Sequence, residues 1–548
     1  MAEEVKTSDE IFKEFKEHSI TEFFRKNSQM LGYSGKVRSL TTVVHEYVTN
    51  GLDACEEANI LPSIEVSVKE IGENKYGIMV QDNGPGIPKK MIGKALASVL
   101  SGTKFHRYMQ QRGQQGIGAA GCTLFALITT GKGIHVKAGT GREAYECDLT
   151  IDIKSNKPVA GELRDLPIDF RGLSVYGEFG DIKYEKGDHG VYEYIRRTAL
   201  SNPHVSIKLT EPDGNEVIFP RSVDTMPRRP KQIKPHPLGV STSDLLDFAR
   251  MSESRKVSSF LEEVFSRMSR DKVREVAELA KEVDIEKEPK DLTWADAEAL
   301  VRAFRQIKWI APELDSMSTI GEEQIGIAIK NIIDPTFQSV VERKPRVFKG
   351  GIPFVVEVGI AYGGKAGKSN GQTVSGNVLR FANKVPLLFD NGSCAITEAV
   401  GSVDWKRYSI KRFDEEPVSV LVNVSSVYIP YSGVGKQAIA PEDEIIEEIK
   451  LAVMDAGRKL ERYLSGERHR NMQETGYNMI VRYVSQLAGD LSGITGKKKE
   501  DIEKELRNLI DKKYRGLFKE QEKDKKEDAA KQEAQKAPKD DGEENEEE

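Results

Sequence analysis

The chain has 548 residues, of which 38% are hydrophobic and 31% are charged. This composition suits a globular protein of about three or four domains, and the lack of any apolar run of about 18 residues argues against a membrane span. The net charge of −6 resides in the last 30 residues, so the rest of the chain is close to neutral. The four cysteines form no C-x-x-C pair, which argues against a zinc site and a disulfide framework. Because the N-terminus also lacks the pattern of a secretory signal, we expect a cytoplasmic protein.

The first part of the chain predicts an α/β sandwich. Residues 1–20 read as a charged N-terminal extension, and the sandwich occupies residues 21–228. Along this stretch the apolar residues switch between helical spacing and strict alternation. The predicted elements are a helix in VRSLTTVVHEYVTNGLDACEEA, strands in IEVSVKEI and YGIMVQD, strands around 134–154 and 173–179, a helix near 190–199, and a hairpin with an Asp-Gly-Asn turn at 213–215.

A proline-rich linker, MPRRPKQIKPHPLGV, marks a boundary, because proline fixes φ and removes backbone donors. Residues 229–307 contain most of this linker and a segment that is helical almost throughout. Residues 308–470 predict a second α/β domain with three long strands, followed by a long helix that ends near residue 465.

The C-terminal part of the chain divides into two segments. Further helices are expected over residues 471–517. Residues 518–548 contain almost no apolar side chains and many acidic ones. Such a segment cannot bury enough apolar surface to offset the entropy lost on ordering, so we expect a disordered acidic tail.

The helix near the start of the sandwich carries a polar face. Glu46, Asn50 and Asp53 are spaced at i, i+4 and i+7, so they share one side of the helix. The Glu46 carboxylate can take a proton from an attacking water, and the carbonyl oxygen of Asn50 can ligate Mg²⁺, which prefers oxygen ligands. The alternative is a solvated polar face on an amphipathic helix, and these three residues alone do not decide between the two.

A turn with the sequence DNGPG follows the second predicted strand and contains Asp82, Gly84 and Gly86. Asp82 can accept a hydrogen bond from a ligand amine, and the glycines let the backbone approach a flat ring closely. D-N-G is also a common turn sequence, so a purely structural turn is the alternative.

A glycine-rich loop runs from Gly113 to Gly121 and precedes the apolar helix CTLFALITT. Glycines before a helix N-terminus free backbone N–H groups to bind phosphate, and the helix dipole favours the anion. The spacing is not the dinucleotide-binding fingerprint, since no strand precedes the loop, and a structural turn is again the alternative. The candidate phosphate contacts are Thr103, Lys104, Gly113, Gln114, Gln115, Gly116, Ile117 and Gly118.

These three motifs, in this order, resemble those of the GHKL ATPases, the superfamily of gyrase, the ATP-dependent heat-shock chaperones, histidine kinases and MutL. The resemblance implies a GHKL (Bergerat) α/β sandwich that binds ATP and Mg²⁺, with Asn50 as the magnesium ligand. It also implies hydrolysis with Glu46 as the general base, a residue that histidine kinases usually lack. The implied ATP contacts are Asn50, Asp53, Asp82, Gly84, Gly86 and the candidate phosphate contacts named above.

A fourth stretch, Gly172 to Val175, is similar to the G-T-x-V motif of the same superfamily, which lies near the adenine. Leu173 takes the threonine position here. Ser174 supplies a hydroxyl one place later, and we include it among the expected ATP contacts.

The resemblance extends to the B subunit family of DNA topoisomerase VI. It is carried by SITEFFRKN, the P-H-P linker, the helical segment after it, DWKRY and YSGVGKQAIA. That family has a nucleotide domain with an N-terminal dimerisation segment, a helix-two-turn-helix module and an α/β transducer domain. These would correspond to residues 21–228, 229–307 and 308–470.

This second resemblance implies an ATP-driven dimer that closes a DNA gate and serves as one subunit of a type IIB topoisomerase. Lys436 matches the switch lysine that the transducer donates to the γ-phosphate, and the alternative is an ordinary loop lysine. The cleaving tyrosine, with a metal site built from a Glu and an Asp-x-Asp pair, belongs to an A-type partner subunit. The implied assembly is a heterotetramer of two A and two B chains in the prokaryotic cytoplasm, associated with the nucleoid, and residues 445–517 are the candidate docking surface for the A-type partner.

Basic residues that cluster in sequence are the candidate contacts to double-stranded DNA. For the WKRY stretch the alternative is a surface strand with a buried tryptophan. For the whole chain, the alternatives are a MutL-like or chaperone-like GHKL ATPase, or a nucleotide-dependent scaffold that does not hydrolyse ATP. The candidate DNA contacts are Arg228, Arg229, Lys406 and Arg407.

Overall fold

A computed structural model describes residues 32–98, 108–113, 116–152, 155, 157–310, 312, 317–369, 373–433 and 435–514. The expected N-terminal extension, the dimerisation segment up to residue 31 and the acidic tail from 518 lie outside the described residues, as do Thr103, Lys104, Gln114 and Gln115. Within the described part of the chain, no helix is long and apolar enough to cross a membrane.

The first domain is a mixed sheet with helices packed on one face. Its elements are α1 (Lys36–Ala58), β1 (Ser63–Gly72), β2 (Lys75–Asp82), α2 (Ile92–Ala97), α3 (Gly118–Thr130), β3 (Ile134–Thr140), β4 (Ala144–Asp152), β5 (Lys157–Ala160), β6 (Arg164–Asp165), β7 (Arg171–Gly180), α4 (Val191–Ser201), β8 (Ser206–Thr210) and β9 (Glu216–Phe219). The described strands are ordered β5-β4-β3-β7-β2-β1-β8-β9, with β6 beside β4. Strands β1 and β8 run parallel, and the other neighbours run antiparallel. Buried residues alternate along β1, as expected for a sheet with one covered face.

A helical module follows the proline-rich linker and has a core of its own, in which Phe260, Phe265 and Phe304 are fully buried. Two of its helices begin with a capping box, at Ser241 and at Thr293, which satisfies backbone donors at the first turn. The predicted helical pattern is therefore present. The helices are α5 (Thr242–Met251), α6 (Val257–Val264), α7 (Arg270–Leu279) and α8 (Trp294–Gln306).

A second α/β layer structure follows the module. Its elements are α9 (Glu322–Ile332), β10 (Phe337–Glu342), β11 (Arg346–Phe348), β12 (Ile352–Tyr362), β13 (Lys368–Ser369), β14 (Val374–Ser375), β15 (Asn377–Ala382), β16 (Val385–Pro386), α10 (Ala395–Gly401) and β17 (Val418–Ser426). The main sheet has the order β10-β12-β17-β15-β16, with β11 beside β12 and with β15 parallel to β17. Strand β17 is buried along its whole length, which is typical of a strand covered on both faces.

The long C-terminal helix α11 runs without a break from Asp443 to Thr495, and α12 covers Lys499–Lys513. The expected helix end near residue 465 is therefore wrong. Gly466 does not stop the helix, because a single glycine costs only about 1 kcal/mol in a helix interior and no proline follows it. From Lys459 the chain belongs to a second compact unit. Within that unit the Tyr477 hydroxyl donates to Asp511 at 3.2 Å.

Candidate nucleotide site

Helix α1 holds Glu46 and Asn50 at the edge of the first domain's core. The helix begins after Gly35, whose φ is 80°, and ends at Asn59, whose left-handed φ of 58° is common just past a helix end. Its buried valines and leucines pack toward the sheet. Glu46 and Asn50 are half-buried, so a rigid helix presents both side chains toward solvent.

Asp82 is the last residue of β2, and its side chain is buried next to α1. Its Oδ1 accepts hydrogen bonds from the backbone N–H groups of Gly84 at 2.8 Å and Leu173 at 3.2 Å. A Cβ added to Gly51 would lie 3.3 Å from Oδ2, so α1 passes close to the carboxylate. Burial raises the pKa of Asp82, and the two backbone hydrogen bonds oppose that rise. Among the described residues these bonds both end on Oδ1, which leaves Oδ2 to accept a ligand amine.

The backbone around Asp82 is packed so closely that glycine is required. Gly86 has a φ of 68°, and a Cβ there would lie 2.2 Å from the carbonyl oxygen of Gly139. Gly172 has a φ of 117°, and a Cβ there would lie 1.9 Å from the carbonyl oxygen of Asp82. Side chains at either position would collide with backbone atoms, so both glycines fix the shape of the turn.

The glycine-rich loop brings the N-terminus of α3 against Glu46. A Cβ at Gly118, the first residue of α3, would lie 1.8 Å from Oε2 of Glu46. No side chain among the described residues caps this helix, so its first backbone N–H groups can bind an anion. The helix N-terminus and the Glu46 carboxylate therefore border one space, and a phosphate group there would be bound by backbone donors beside a carboxylate base.

We expect Gly118→Ala to lower the rate of ATP hydrolysis roughly tenfold, within the loss of up to about 10²-fold that a 1 Å misplacement can cause. The added methyl group must push the Glu46 carboxylate or the start of α3 out of position. Steady-state hydrolysis and thermal unfolding of the full chain measure the effect. Gly187→Ala is the control, since its Cβ would meet nothing within 4 Å. Wild-type turnover in Gly118→Ala would contradict the contact.

Ser174 does not share the pocket of Asp82. Val80 lies opposite Val175 on β7, and both are buried in the domain core, whereas Gln81 lies opposite Ser174. Since side chains alternate between the two faces of a strand, Ser174 lies on the face away from the helices. The residue of this motif that bonds Asp82 is Leu173, through its backbone N–H, and the expected contact of Ser174 with ATP stays a prediction.

Asp53 forms a buried ion pair with Arg112, the residue before the glycine-rich loop. Arg112 Nη1 lies 2.8 Å from Asp53 Oδ1, while Nη2 donates to Glu56 at 2.6 Å and to Asn202 at 2.6 Å. Burial acts to raise the pKa of Glu56, but the Arg112 charge holds it well below its ordinary value. Asp53 therefore fixes the start of the loop to α1, and its direct contact with a nucleotide stays a prediction.

The loop that carries Lys436 lies against α1 and the chain just before it. A Cβ at Gly435 would lie 3.6 Å from Nη2 of Arg38 and 3.8 Å from Cα of Gly32. The pKa of His45 is lowered, mainly by burial; the charge of Glu46 opposes this shift and the charge of Lys436 adds to it. The contacts of Gly435 place the loop that carries Lys436 beside the start of α1.

An ion pair that no sequence motif indicates joins the two domains beside this loop. Arg38 donates from both terminal nitrogens to Asp390, each at 3.0 Å, and its guanidinium stacks 4.8 Å from the centre of the Phe389 ring. A bidentate pair of this kind fixes orientation as well as distance. It therefore aligns the start of α1 with the domain that carries Lys436.

The four candidate DNA contacts are all exposed. Arg229 donates to the backbone carbonyl of Glu57 at 2.6 Å. Lys406 and Arg407 project from a 3-10 turn whose other two residues are the buried Trp405 and Tyr408. The surface strand of the alternative is therefore wrong, whereas its buried tryptophan is confirmed.

Two family models match the chain. The one described as "Topoisomerase VI B subunit, transducer" covers residues 312–475, and the one described as "Histidine kinase-, DNA gyrase B-, and HSP90-like ATPase" covers residues 35–155. The B subunit of the type 2 DNA topoisomerase 6 from Pyrococcus horikoshii is 44% identical over 550 residues, which span 92% of this chain and 96% of that protein. The chain belongs to the topoisomerase VI B subunit family.

Further comparisons agree with this family. The B subunit of the type 2 DNA topoisomerase 6 from Methanothermobacter thermautotrophicus is 46% identical over 454 residues, or 82% of this chain and 86% of that protein. The solved ATPase region of Saccharomyces cerevisiae topoisomerase II covers 83% of the chain at 10% identity, but its TM-score of 0.39 adds no weight.

The comparisons confirm the predicted resemblances and the α/β multidomain fold with GHKL and transducer domains. The chain is thus the B subunit of a type IIB DNA topoisomerase with a nucleotide-binding ATPase domain, which implies an A subunit and DNA as partners. The MutL-like and chaperone-like alternatives are set aside.

Proposed function

We propose that Glu46, Asn50, Asp82, the glycine-rich loop and Lys436 form the ATP-hydrolysing site of this topoisomerase VI B subunit. The observation that carries the proposal is the contact between Glu46 and the N-terminus of α3, since a Cβ at Gly118 would overlap the carboxylate. A general base beside backbone phosphate donors is the arrangement that hydrolysis of a bound nucleotide requires.

Each group has a distinct task in this proposal. Asp82 accepts a hydrogen bond from the adenine amine through Oδ2, and the neighbouring glycines let the ring lie close to the backbone. The first N–H groups of α3 bind phosphate oxygens. Glu46 takes a proton from the attacking water as the new P–O bond forms and the bond to the leaving ADP breaks. Lys436 contacts the γ-phosphate and thereby distinguishes ATP from ADP.

Mg²⁺ is the cofactor that these residues fit. Asn50 offers a carbonyl oxygen one helical turn from Glu46. A single protein ligand is sufficient for an ion that usually keeps several waters and binds substrate phosphates. Mg²⁺ bound at Asn50 would neutralise negative charge on the phosphates of the nucleotide.

The same proposal assigns ATP a mechanical role. Two copies close on binding ATP and reopen after hydrolysis, so the nucleotide shifts the balance between an open and a closed dimer. The full assembly has two A and two B chains, with the A-type partners docked on residues 445–517. Arg228, Arg229, Lys406 and Arg407 contact DNA phosphates, since all four are exposed cations.

Lys436→Ala should bind ADP as the wild type does but lose roughly tenfold or more of its ATP-driven dimerisation, the size of a typical coupling between sites. The reason is that only ATP has the phosphate that this cation reaches. Nucleotide titrations and sedimentation with a non-hydrolysable ATP analogue test it, with the exposed Lys411→Ala as control. Equal weakening of both nucleotides would mean that Lys436 does not sense the γ-phosphate.

A further inference from the structure

The turn between β15 and β16 has an unexpected residue in it. Asn383 and Lys384 form a two-residue connection, with φ values of 49° and 68°. Turns with two left-handed residues favour Asn-Gly, because a side chain strains the second position. Lys384 is moreover only 4% exposed, and burial lowers its pKa to about 8. Both the backbone conformation and the burial of the cation oppose folding, and a glycine would relieve both.

The Lys384 side chain reaches the segment that leads into the glycine-rich loop through one intermediary. Its Nζ donates to Ser318 Oγ at 2.8 Å. The backbone N–H of Ser318 donates to Gln110 Oε1 at 2.7 Å, and Gln110 Nε2 donates to the Ser318 carbonyl at 2.9 Å. The side-chain amide of Gln110 therefore makes two hydrogen bonds to the backbone of Ser318, as a residue on a neighbouring strand would. Gln110 lies three residues before Gly113.

The same turn contacts this segment from its other side. The side-chain amide of Asn383 donates from Nδ2 to the Gln111 carbonyl at 3.0 Å. The Lys384 carbonyl accepts from Asn202 Nδ2 at 3.1 Å, and Asn202 Oδ1 accepts from Arg112 at 2.6 Å. Three successive residues before the glycine-rich loop are thus bonded to the transducer turn directly or through one residue.

We propose that Lys384 is a positioning residue that fastens the segment Gln110–Arg112 to the transducer, so that a shift of this segment on ATP binding moves the transducer with it. This inference rests on the proposed function and adds a second link beside Lys436. A cavity of about 480 Å³ borders Gln111, Arg112 and Lys384.

Lys384→Gly separates this role from a structural one. It removes the side chain and at the same time supplies the residue that the turn prefers, so the full chain should unfold at the same or a higher temperature. ADP affinity should stay within about twofold, while dimerisation with a non-hydrolysable ATP analogue and kcat should fall about tenfold, as for a coupling between sites. Lys349→Gly is the matched control, because Lys349 also has a left-handed backbone conformation, with φ of 47°, but its side chain is exposed.

Gln110→Ala tests the contact from its other side and serves if the glycine variant folds poorly. It should show the same split between ADP binding and closure. The double variant Lys384→Gly with Gln110→Ala should be no worse than either single change, since both break one link. Additive losses would overturn the proposal, as would wild-type closure in Lys384→Gly, or a loss of closure that only follows a lower unfolding temperature. If Lys436→Ala loses closure while Lys384→Gly does not, this inference fails and the proposed function stands.

Discussion

Glu46→Gln is expected to bind ATP and to dimerise as the wild type does while its hydrolysis falls by about 10²-fold or more, the contribution of a well-placed general base. The substitution keeps the size of the side chain and its contact with Gly118 but removes the group that takes the proton from water. Dimerisation should persist because binding and closure depend on other groups: Asp82, the α3 N-terminus and Lys436.

Single-turnover hydrolysis with the full chain gives the rate, and sedimentation with ATP gives the closed fraction. Glu65→Gln, which alters an exposed carboxylate of β1, controls for a change in net charge. Asn50→Ala should behave differently and weaken Mg²⁺-dependent nucleotide binding itself. If Glu46→Gln turned over ATP at a near-normal rate, the general base would lie elsewhere and Glu46 would have another role.

The sequence could predict the placement of candidate site residues whose position depends on local structure. Helical spacing alone puts Glu46 and Asn50 on one side of α1, and a glycine run before an apolar helix indicates where α3 begins. The face of β7 on which Ser174 lies could not be predicted, because it depends on strand register, which a motif read by position does not give. The predicted end of α11 near residue 465 was wrong, because a single glycine in a helix interior costs only about 1 kcal/mol and does not end the helix.

The links between domains could not be predicted from the sequence. Arg38 and Asp390 are 352 positions apart, and Gln110 and Ser318 are 208 apart. No periodicity or motif joins such pairs, since each contact exists only after both domains have folded and docked. The unusual lysine of an Asn-Lys turn is a signal visible in the sequence, but its meaning depends on knowing that the two residues form a hairpin turn.

Alone, the chain should not cut DNA, however much ATP and Mg²⁺ are supplied. Cleavage by a type II topoisomerase needs a tyrosine nucleophile beside carboxylates that hold the metal at the scissile phosphate. The chain has 17 tyrosines, but no Asp-x-Asp pair occurs anywhere in its 548 residues. Two pairs of aspartates lie near each other in sequence, Asp148 with Asp152 and Asp165 with Asp169, but each pair is separated by four positions instead of two.

We therefore expect the cleaving groups to come from the A-type partner, and the proposed nucleotide site to control when they act. The test is to incubate the purified chain with supercoiled DNA, Mg²⁺ and ATP, with and without that partner. We expect no relaxation and no protein-linked breaks from the chain alone, and relaxation once the partner is added. With the partner present, Glu46→Gln should slow repeated relaxation, because a gate that closes but does not hydrolyse cannot reset. Double-strand breaks covalently linked to the isolated chain would contradict this division of labour.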